Sequence, residues 1–417
     1  MKRCFEPVAS TNKEGAGFKP DLAHILKTHI GDYRSRHKLH PDHFNVVSDI
    51  MNCRTPALGG HLHRCSDCDG EISLYNSCRN RHCPTCQTLT KAAWLEARKK
   101  ELLPVPYVHS VFTLPHEINP VALCNKRTIY GMLFKSVSDT LLAFGKNPRN
   151  RLEGTLGVIA ILHTWTQKLE DHIHLHCVIP AGALSHDGER FTVAKNGFLF
   201  PVKALSKVFR GKFMDLFNDA YVKGRLVFPG KTEPYGTPEG FLDLEKRLRK
   251  KRWVVYSKKP FKGPEDVLGY IARYTHRVAI SNHRIVSCQN GRVTFSYRNR
   301  KENKTGTETL AADEFIRRFL LHVLPAKFMR IRHFGLFANR NRRKNLERCR
   351  TLLGLTGRIP LPPKPSIQEA MLALTGKDIL ACPFCKKGKL AKVSVIPNDR
   401  GHSAFNLINS RCLKDSS

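Results

Sequence analysis

Apolar residues recur at helical spacing through Leu22, Ile25 and Leu26, so residues 1–52 read as a mostly helical segment. The stripe is lost over 53–90, where Cys, His, Arg and Asn replace it. A helix is predicted over 89–103, with Ala92, Ala93, Leu95 and Ala97 set among Arg98, Lys99 and Lys100. The β-branched and aromatic run YVHSVFTL at 107–114 predicts a strand. Leu133, Phe134, Val137, Leu141 and Leu142 share one side of a helix predicted over 121–145. Segments 157–166 and 172–184 predict two strands joined by a polar turn, the centre of a sheet. Gly263-Pro264-Glu265-Asp266 opens a further helix, with proline in the first turn and two acids at the positive end of the dipole. A hairpin over 284–286 and 292–297 turns at Asn290-Gly291, and the proline-rich run 360–365 is a stiff linker before a C-terminal tail. The pattern predicts an α+β chain with a central antiparallel sheet and flanking helices.

At 417 residues the chain has room for two to four folded units, and no fixed-period repeat divides it. The longest apolar run, 156–162, falls far short of the roughly 18 residues that span a bilayer, and no apolar leader follows Met1. No membrane partner is expected, and the chain reads as cytoplasmic and nucleoid-associated. Charge sharpens the picture. Seventy Lys and Arg oppose 35 Asp and Glu, a formal +35, and a field of that size favours polyanions. The basic residues cluster: Arg64, Arg79 and Arg81 lie among cysteines, and Lys250, Lys251 and Arg252 end the run 246–252. Residues 327–350, with Arg330, Arg332, Arg340, Arg342 and Arg343, hold nine Lys or Arg and one acid, interleaved with Phe328, Phe334 and Phe337. Such stretches neutralise phosphates, and aromatic rings can stack unpaired bases.

Fourteen cysteines in a chain read as cytoplasmic argue for metal ligation over disulfides. Cys65-x-x-Cys68 and Cys83-x-x-Cys86, fourteen residues apart, have the spacing of two knuckles closing one tetrahedral zinc site. Cys78, His61, His63 and His82 lie nearby and leave a swapped ligand or a second ion open. Cys382-Pro383-Phe384-Cys385 looks like half of a zinc ribbon, with His402 and Cys412 as loose candidates to complete it.

His172-Ile173-His174-Leu175-His176 alternates along a strand, so its three imidazoles share one face while Ile173 and Leu175 pack on the other. A divalent ion accounts for that pattern. His163, on the preceding strand, competes with His172 as third ligand beside His174 and His176. Tyr270 and Tyr274 share a helical face at i and i+4, a spacing that also suits core packing. A phenol is a weak nucleophile at neutral pH unless its target is activated, and a divalent ion polarising a phosphodiester supplies that activation. Attack by tyrosine leaves a 5′-phosphotyrosine and a free 3′-hydroxyl, and two tyrosines permit two successive strand transfers.

These residues resemble the IS91 type of rolling-circle, two-tyrosine transposases, within the HUH (His-hydrophobe-His) endonuclease superfamily. The likeness runs from about residue 50 to about 345, through HLHRCSDCDGEISLYNSCRNRHCPTCQ (61–87), LHTWTQ (162–167), HIHLHCVIPAGALS (172–185), YIARYTHRVAIS (270–281) and FMRIRHFGLFANRNR (328–342). It puts the HUH pair at His174 and His176, the nucleophiles at Tyr270 and Tyr274, and the zinc module on the Cys65–Cys86 cluster. It implies an HUH/Rep-like sheet, cleavage and transfer of single-stranded DNA at transposon ends and target site, and a catalytic Mg²⁺ or Mn²⁺. Water, a carboxylate or an amide would complete the shell of such a hard ion, with Gln167 a candidate. Where the family often carries paired glycines after the histidine strand, this chain has Ala181-Gly182. The expected organisation is a helical segment 1–52, a zinc-binding DNA-recognition module 53–103, a nuclease domain 104–350, and a linker and tail 351–417. Two other readings share parts of this pattern: a non-catalytic zinc-finger DNA-binding protein, and a rolling-circle replication initiator or relaxase with the same chemistry.

Overall fold

The computed structural model describes residues 19–195, 199–257, 261, 267, 269, 278–299, 302–355 and 366–399. The first apolar stripe folds as two helices, α1 (Leu22–Arg36) and α2 (Pro41–Met51). Asp21 caps α1 by accepting from the His24 N–H at 2.8 Å, and Pro41 sits in the first turn of α2. A small hairpin follows, β1 (Gly60–Cys65) with β2 (Glu71–Tyr75), and then α3 (Thr88–Lys99).

The strand expected at 107–114 is β3 (Tyr107–Thr113). The single helix expected over 121–145 is instead two, α4 (Asn119–Cys124) and α5 (Lys126–Lys146), because Asn125 leaves helical geometry at φ −122°, ψ 37°. Its side chain holds the break, donating to the carbonyls of Val121 and Val227 and accepting from the Val227 N–H. The two central strands are β4 (Thr155–Trp165) and β5 (Asp171–Pro180), followed by short β6 (Gly182–Leu184) and β7 (Phe191–Val193). Helices α6 (Val202–Val222) and α7 (Pro238–Lys250) lead to β8 (Val254–Ser257). The predicted hairpin is present as β9 (Ile285–Gln289) and β10 (Arg292–Asn299), with Asn290 and Gly291 both at positive φ, and β11 (Lys304–Ala311) and α8 (Ala312–Leu321) follow. The chain continues through β12 (Ile331–Gly335), α9 (Arg342–Leu352), α10 (Ile367–Thr375) and β13 (Leu390–Ile396).

Among the described residues the strands form three sheets. The largest runs β7-β6-β4-β5-β3-β8, with β12 antiparallel to β4; the others run β11-β10-β9 and β13-β1-β2. Alternation gives the large sheet two unlike faces. Leu156, Val158, Ala160 and Leu162 of β4, Ile173, Leu175, Cys177 and Ile179 of β5, and Phe112 of β3 join α5 and the Phe209, Phe213 and Phe217 ridge of α6 in the main core. The opposite face carries Ile159, Ile161, Val178 and Tyr107, covered by Leu336, Phe337, Leu346 and Val267, and it also carries the histidines. The N-terminal helices share a core with the β9–β10 hairpin and α8, where Ile25, Leu26, Val47 and Ile50 meet Phe295, Phe315 and Phe319. Among the described residues no helix is long and apolar enough to cross a membrane.

Candidate active site and cysteine clusters

Register makes the histidine cluster. β4 and β5 pair so that His163 stands directly opposite His174 and Ile161 opposite His176. The tight connection between them is held by Thr166, whose N–H donates to the Glu170 carbonyl at 2.9 Å and whose hydroxyl accepts from the N–H groups of Lys168 and Glu170. His163 Nδ1 lies 3.2 Å from His174 Nε2, which is 3.1 Å from His176 Nε2, and all three rings are buried. Three donor atoms of one group thus converge from two strands. Bonds of about 2.1 Å to one ion put neighbouring donors roughly 3.0 to 3.4 Å apart, so the observed spacing fits. His174 Nδ1 donates to the His172 carbonyl at 2.7 Å, which leaves its Nε2 lone pair facing the other two rings.

Of the two candidates for a third ligand, it is His163 that the fold brings to His174 and His176. The His172 ring turns to stack on His116 at 5.9 Å, and burial followed by His116 lowers its pKa. One contributor escaped the sequence reading. His109 on β3 is 1% exposed, and its Nε2 lies 3.0 Å from His176 Nδ1, the position of a group that fixes a ligand's tautomer. The signal was a histidine on a strand one register away, visible only once β3 was known to flank β5. Trp165 meets His163 edge-on at 4.0 Å between centroids. Gln167 is elsewhere: its side-chain oxygen accepts from the Arg298 N–H at 2.7 Å. Among the described residues, no carboxylate joins the three imidazoles. Tyr270 and Tyr274, and the helix start at 263–266, lie outside the described residues, but Val267, just before them, is fully buried in the cluster on the histidine face.

The four cysteines expected to close one site are divided between two. Cys83 and Cys86 converge with Cys53 and Cys78, whereas Cys65 and Cys68 converge with Cys382 and Cys385. The physical reason is β2, which occupies the residues between the two knuckles and carries the chain away from the first before the second forms. In the first group Cys78 Sγ lies 3.7 Å from Cys86 Sγ, too long for a disulfide and close to the roughly 3.8 Å edge of a zinc tetrahedron with 2.3 Å bonds. Hydrogen bonding from the neighbouring thiols Cys53, Cys78 and Cys83 pushes the Cys86 thiol far down, while Cys53, Cys83 and Cys86 push Cys78 up. His402 and Cys412 lie outside the described residues.

The basic candidates divide by environment. Lys250, Lys251 and Arg252 are exposed and line a groove with Lys203, Lys207 and Arg210 of α6, although Lys251 also pairs with Glu117 at 2.7 Å. The α6 residues, spaced 203, 207 and 210 on one helical face, were legible as a stripe and were missed. Arg332 stacks on Phe134 at 4.3 Å and Phe328 at 5.0 Å in a cleft with Trp94, Arg127 and Lys327. Arg79, Arg340 and Arg343 are exposed, Arg343 pairing with Glu347, and Arg342 pairs with Glu101 at 3.3 Å. Two are not surface contacts. Arg330 is buried, and desolvation, then Arg81, lowers its pKa to about 10. Arg81 is partly buried and donates to the carbonyls of Phe328 and Pro325, which locks the second knuckle to the segment before β12.

A model described as "Putative transposase" matches residues 157–345, which include the histidine strands, and one described as "Transposase zinc-binding domain" matches residues 25–114. A "Putative transposase y4qJ" of Sinorhizobium fredii is 42% identical over 388 residues, 92% of this chain and 97% of the relative. The chain belongs to the IS91-type transposase family. A second relative, the "Transposase for insertion sequence element IS801" of Pseudomonas savastanoi pv. phaseolicola, is 28% identical over 305 residues, 71% of this chain and 70% of its own length. No solved structure matches. The zinc-binding model spans Cys53, Cys65, Cys68, Cys78, Cys83 and Cys86, so this transposase family's zinc domain includes both knuckles, and neither model reaches Cys382.

Proposed function

We propose that this transposase cuts and rejoins single-stranded DNA through tyrosine nucleophiles, by rolling-circle transposition. The observation that carries the reading is the buried set of His163, His174 and His176, with Val267, three residues before Tyr270 in sequence, buried in the cluster on the same face of the sheet. The three imidazoles would hold a divalent ion, Mg²⁺ or Mn²⁺, which when bound polarises a phosphodiester oxygen as a Lewis acid. Among the described residues the donors are imidazole nitrogens, which favour Mn²⁺ over Mg²⁺, and water or phosphate oxygen would complete the shell. Cys53, Cys78, Cys83 and Cys86 would hold a structural Zn²⁺ beside the N-terminal helices.

In the transfer step the oxygen of Tyr270 or Tyr274 bonds to phosphorus and gives its proton to solvent. The bond from phosphorus to the 3′-oxygen breaks, and that oxygen takes a proton to become a free 3′-hydroxyl. The DNA 5′ end stays attached as phosphotyrosine, and the reverse step rejoins it to another 3′-hydroxyl. The exposed groove of Lys203, Lys207, Lys250 and Arg252 and the cleft around Arg332 offer a path for the phosphate backbone. The test uses single-stranded oligonucleotides bearing the element's terminus with Mn²⁺. A covalent 5′ adduct is expected with the parent chain, and neither adduct nor nick with Tyr270→Phe/Tyr274→Phe. His174→Ala should abolish cleavage while leaving DNA binding intact. Cleavage by the double phenylalanine variant would refute the reading.

A further inference from the structure

The second cysteine group lies across the chain's two ends. We infer that Cys65, Cys68, Cys382 and Cys385 form a second structural zinc site, separate from that of Cys53, Cys78, Cys83 and Cys86, and that this ion clasps the C-terminal tail onto the N-terminal module. The inference stands apart from the transfer chemistry and rests on different residues.

Four observations carry it. The thiols pair crosswise between the segments, Cys65 Sγ to Cys385 Sγ at 3.6 Å and Cys68 Sγ to Cys382 Sγ at 3.7 Å, near the edge of a zinc tetrahedron and far beyond a disulfide bond. Backbone N–H groups donate to the sulfurs as in metal knuckles, from Asp67 to Cys65 and from Gly388 to Cys385, each at 3.3 Å. Gly388 is packed so closely that a Cβ there would overlap Cys65 Sγ, so the tail has been shaped around the first knuckle. The backbones join as well: β13 pairs antiparallel with β1 from Gly60 opposite Ile396 to Cys65 opposite Leu390, and the Ser66 N–H donates to the Lys389 carbonyl at 3.0 Å.

Apolar burial alone does not explain this docking. Among the described residues the cluster at the junction has Cys65, Cys382 and Leu390 as its buried members, with Ile72 and Cys385 partly covered. The rest of β13 is largely exposed, Val393 at 50% and Val395 at 63%. A unit with so small a core is of the kind that needs a metal to fold, because ligand binding supplies the folding free energy. The sequence separation is large, 314 residues for Cys68 and Cys382, so metal removal would release the tail rather than loosen a local loop.

The test is metal counting on the full chain. Purified protein should carry two zinc ions per chain, and Cys382→Ser/Cys385→Ser should carry one. Cys53→Ser/Cys78→Ser should also fall to one, by losing the other ion. Limited trypsin digestion gives an independent readout at Lys386 and Lys387: protection in the zinc-loaded parent, and rapid cleavage of the tail in Cys382→Ser/Cys385→Ser while the nuclease core stays intact. One zinc in the parent, an unchanged count in Cys382→Ser/Cys385→Ser, or its loss of both ions would overturn a separate clasp. So would equal tail cleavage in parent and variant.

Discussion

The group behind the candidate metal ligands gives the most discriminating prediction. His109→Phe keeps a planar ring of similar size but offers no nitrogen. In the parent, His109 is 1% exposed, stacked on His176 at 5.2 Å and 20°, with Nε2 3.0 Å from His176 Nδ1. With Nε2 bound to the proposed ion, His176 would carry its proton on Nδ1 and donate it to His109, which keeps the Nε2 lone pair turned to His163 and His174. Without that acceptor a buried N–H loses its partner, at roughly 1–3 kcal/mol, and the ring is free to take the wrong tautomer. Loss of an outer partner to a metal-bound imidazole typically costs about 10–100-fold in metal affinity or activity, or about 1.4–2.7 kcal/mol. The two ranges overlap, and both predict a sizeable change without loss of the fold. The assay is single-strand cleavage titrated with Mn²⁺: half-saturation should rise about 10–100-fold, with much of the maximal rate restored at excess metal. A folded His109→Phe chain, checked by near-ultraviolet circular dichroism, that half-saturates at the parental Mn²⁺ concentration would refute the role of His109.

Two further predictions concern stability. His322 is fully buried and uses both nitrogens, Nε2 donating to the Leu169 carbonyl at 3.1 Å and Nδ1 accepting from Thr164 at 3.3 Å; burial, then Lys126 and Arg317, lowers its pKa to about 4. Below pH 6.5 the unfolded chain takes up this proton first, so the contribution is complete above pH 6.5, shrinks as pH falls and is gone below about 4, on the order of 3 kcal/mol in all. Urea midpoints should fall between pH 7 and 4.5 more steeply in the parent than in His322→Gln, and equal slopes would contradict this. Gly335 ends β12 at φ +60°, and a Cβ there would overlap the Leu156 carbonyl. Gly335→Ala should therefore cost about 1–3 kcal/mol and lower the thermal midpoint by several degrees; an unchanged midpoint would show that β12 is not pinned to β4 as described.

The central sheet was legible because its strands write their two faces into the sequence. Ile173 and Leu175 are apolar where α5 and α6 pack, and His174 and His176 fall between them. The turn at Asn290-Gly291 was legible for a similarly local reason. What the sequence hid was non-local. Cys53 and Cys78 completed the second knuckle, and Cys382 and Cys385 met the first, through strand pairings that spacing cannot report. His109 was hidden for the same reason, since a neighbouring strand brought it to His176. The basic runs misled in the opposite way: charge along the chain did not distinguish Arg330, folded inside, from exposed Arg340 and Arg343.

The pairing of β1 with β13 also sets an order in time. β1 ends at Cys65, and its partner strand begins at Leu390, so β1 is synthesised with one edge unmatched. At about 5–20 residues per second, the roughly 325 further residues take about 16 to 65 s to emerge. Throughout that interval the sheet of β13, β1 and β2 has two of its three strands and waits for one not yet made. An interrupted chain therefore leaves the ribosome with this edge still open, whatever the state of the rest of the fold.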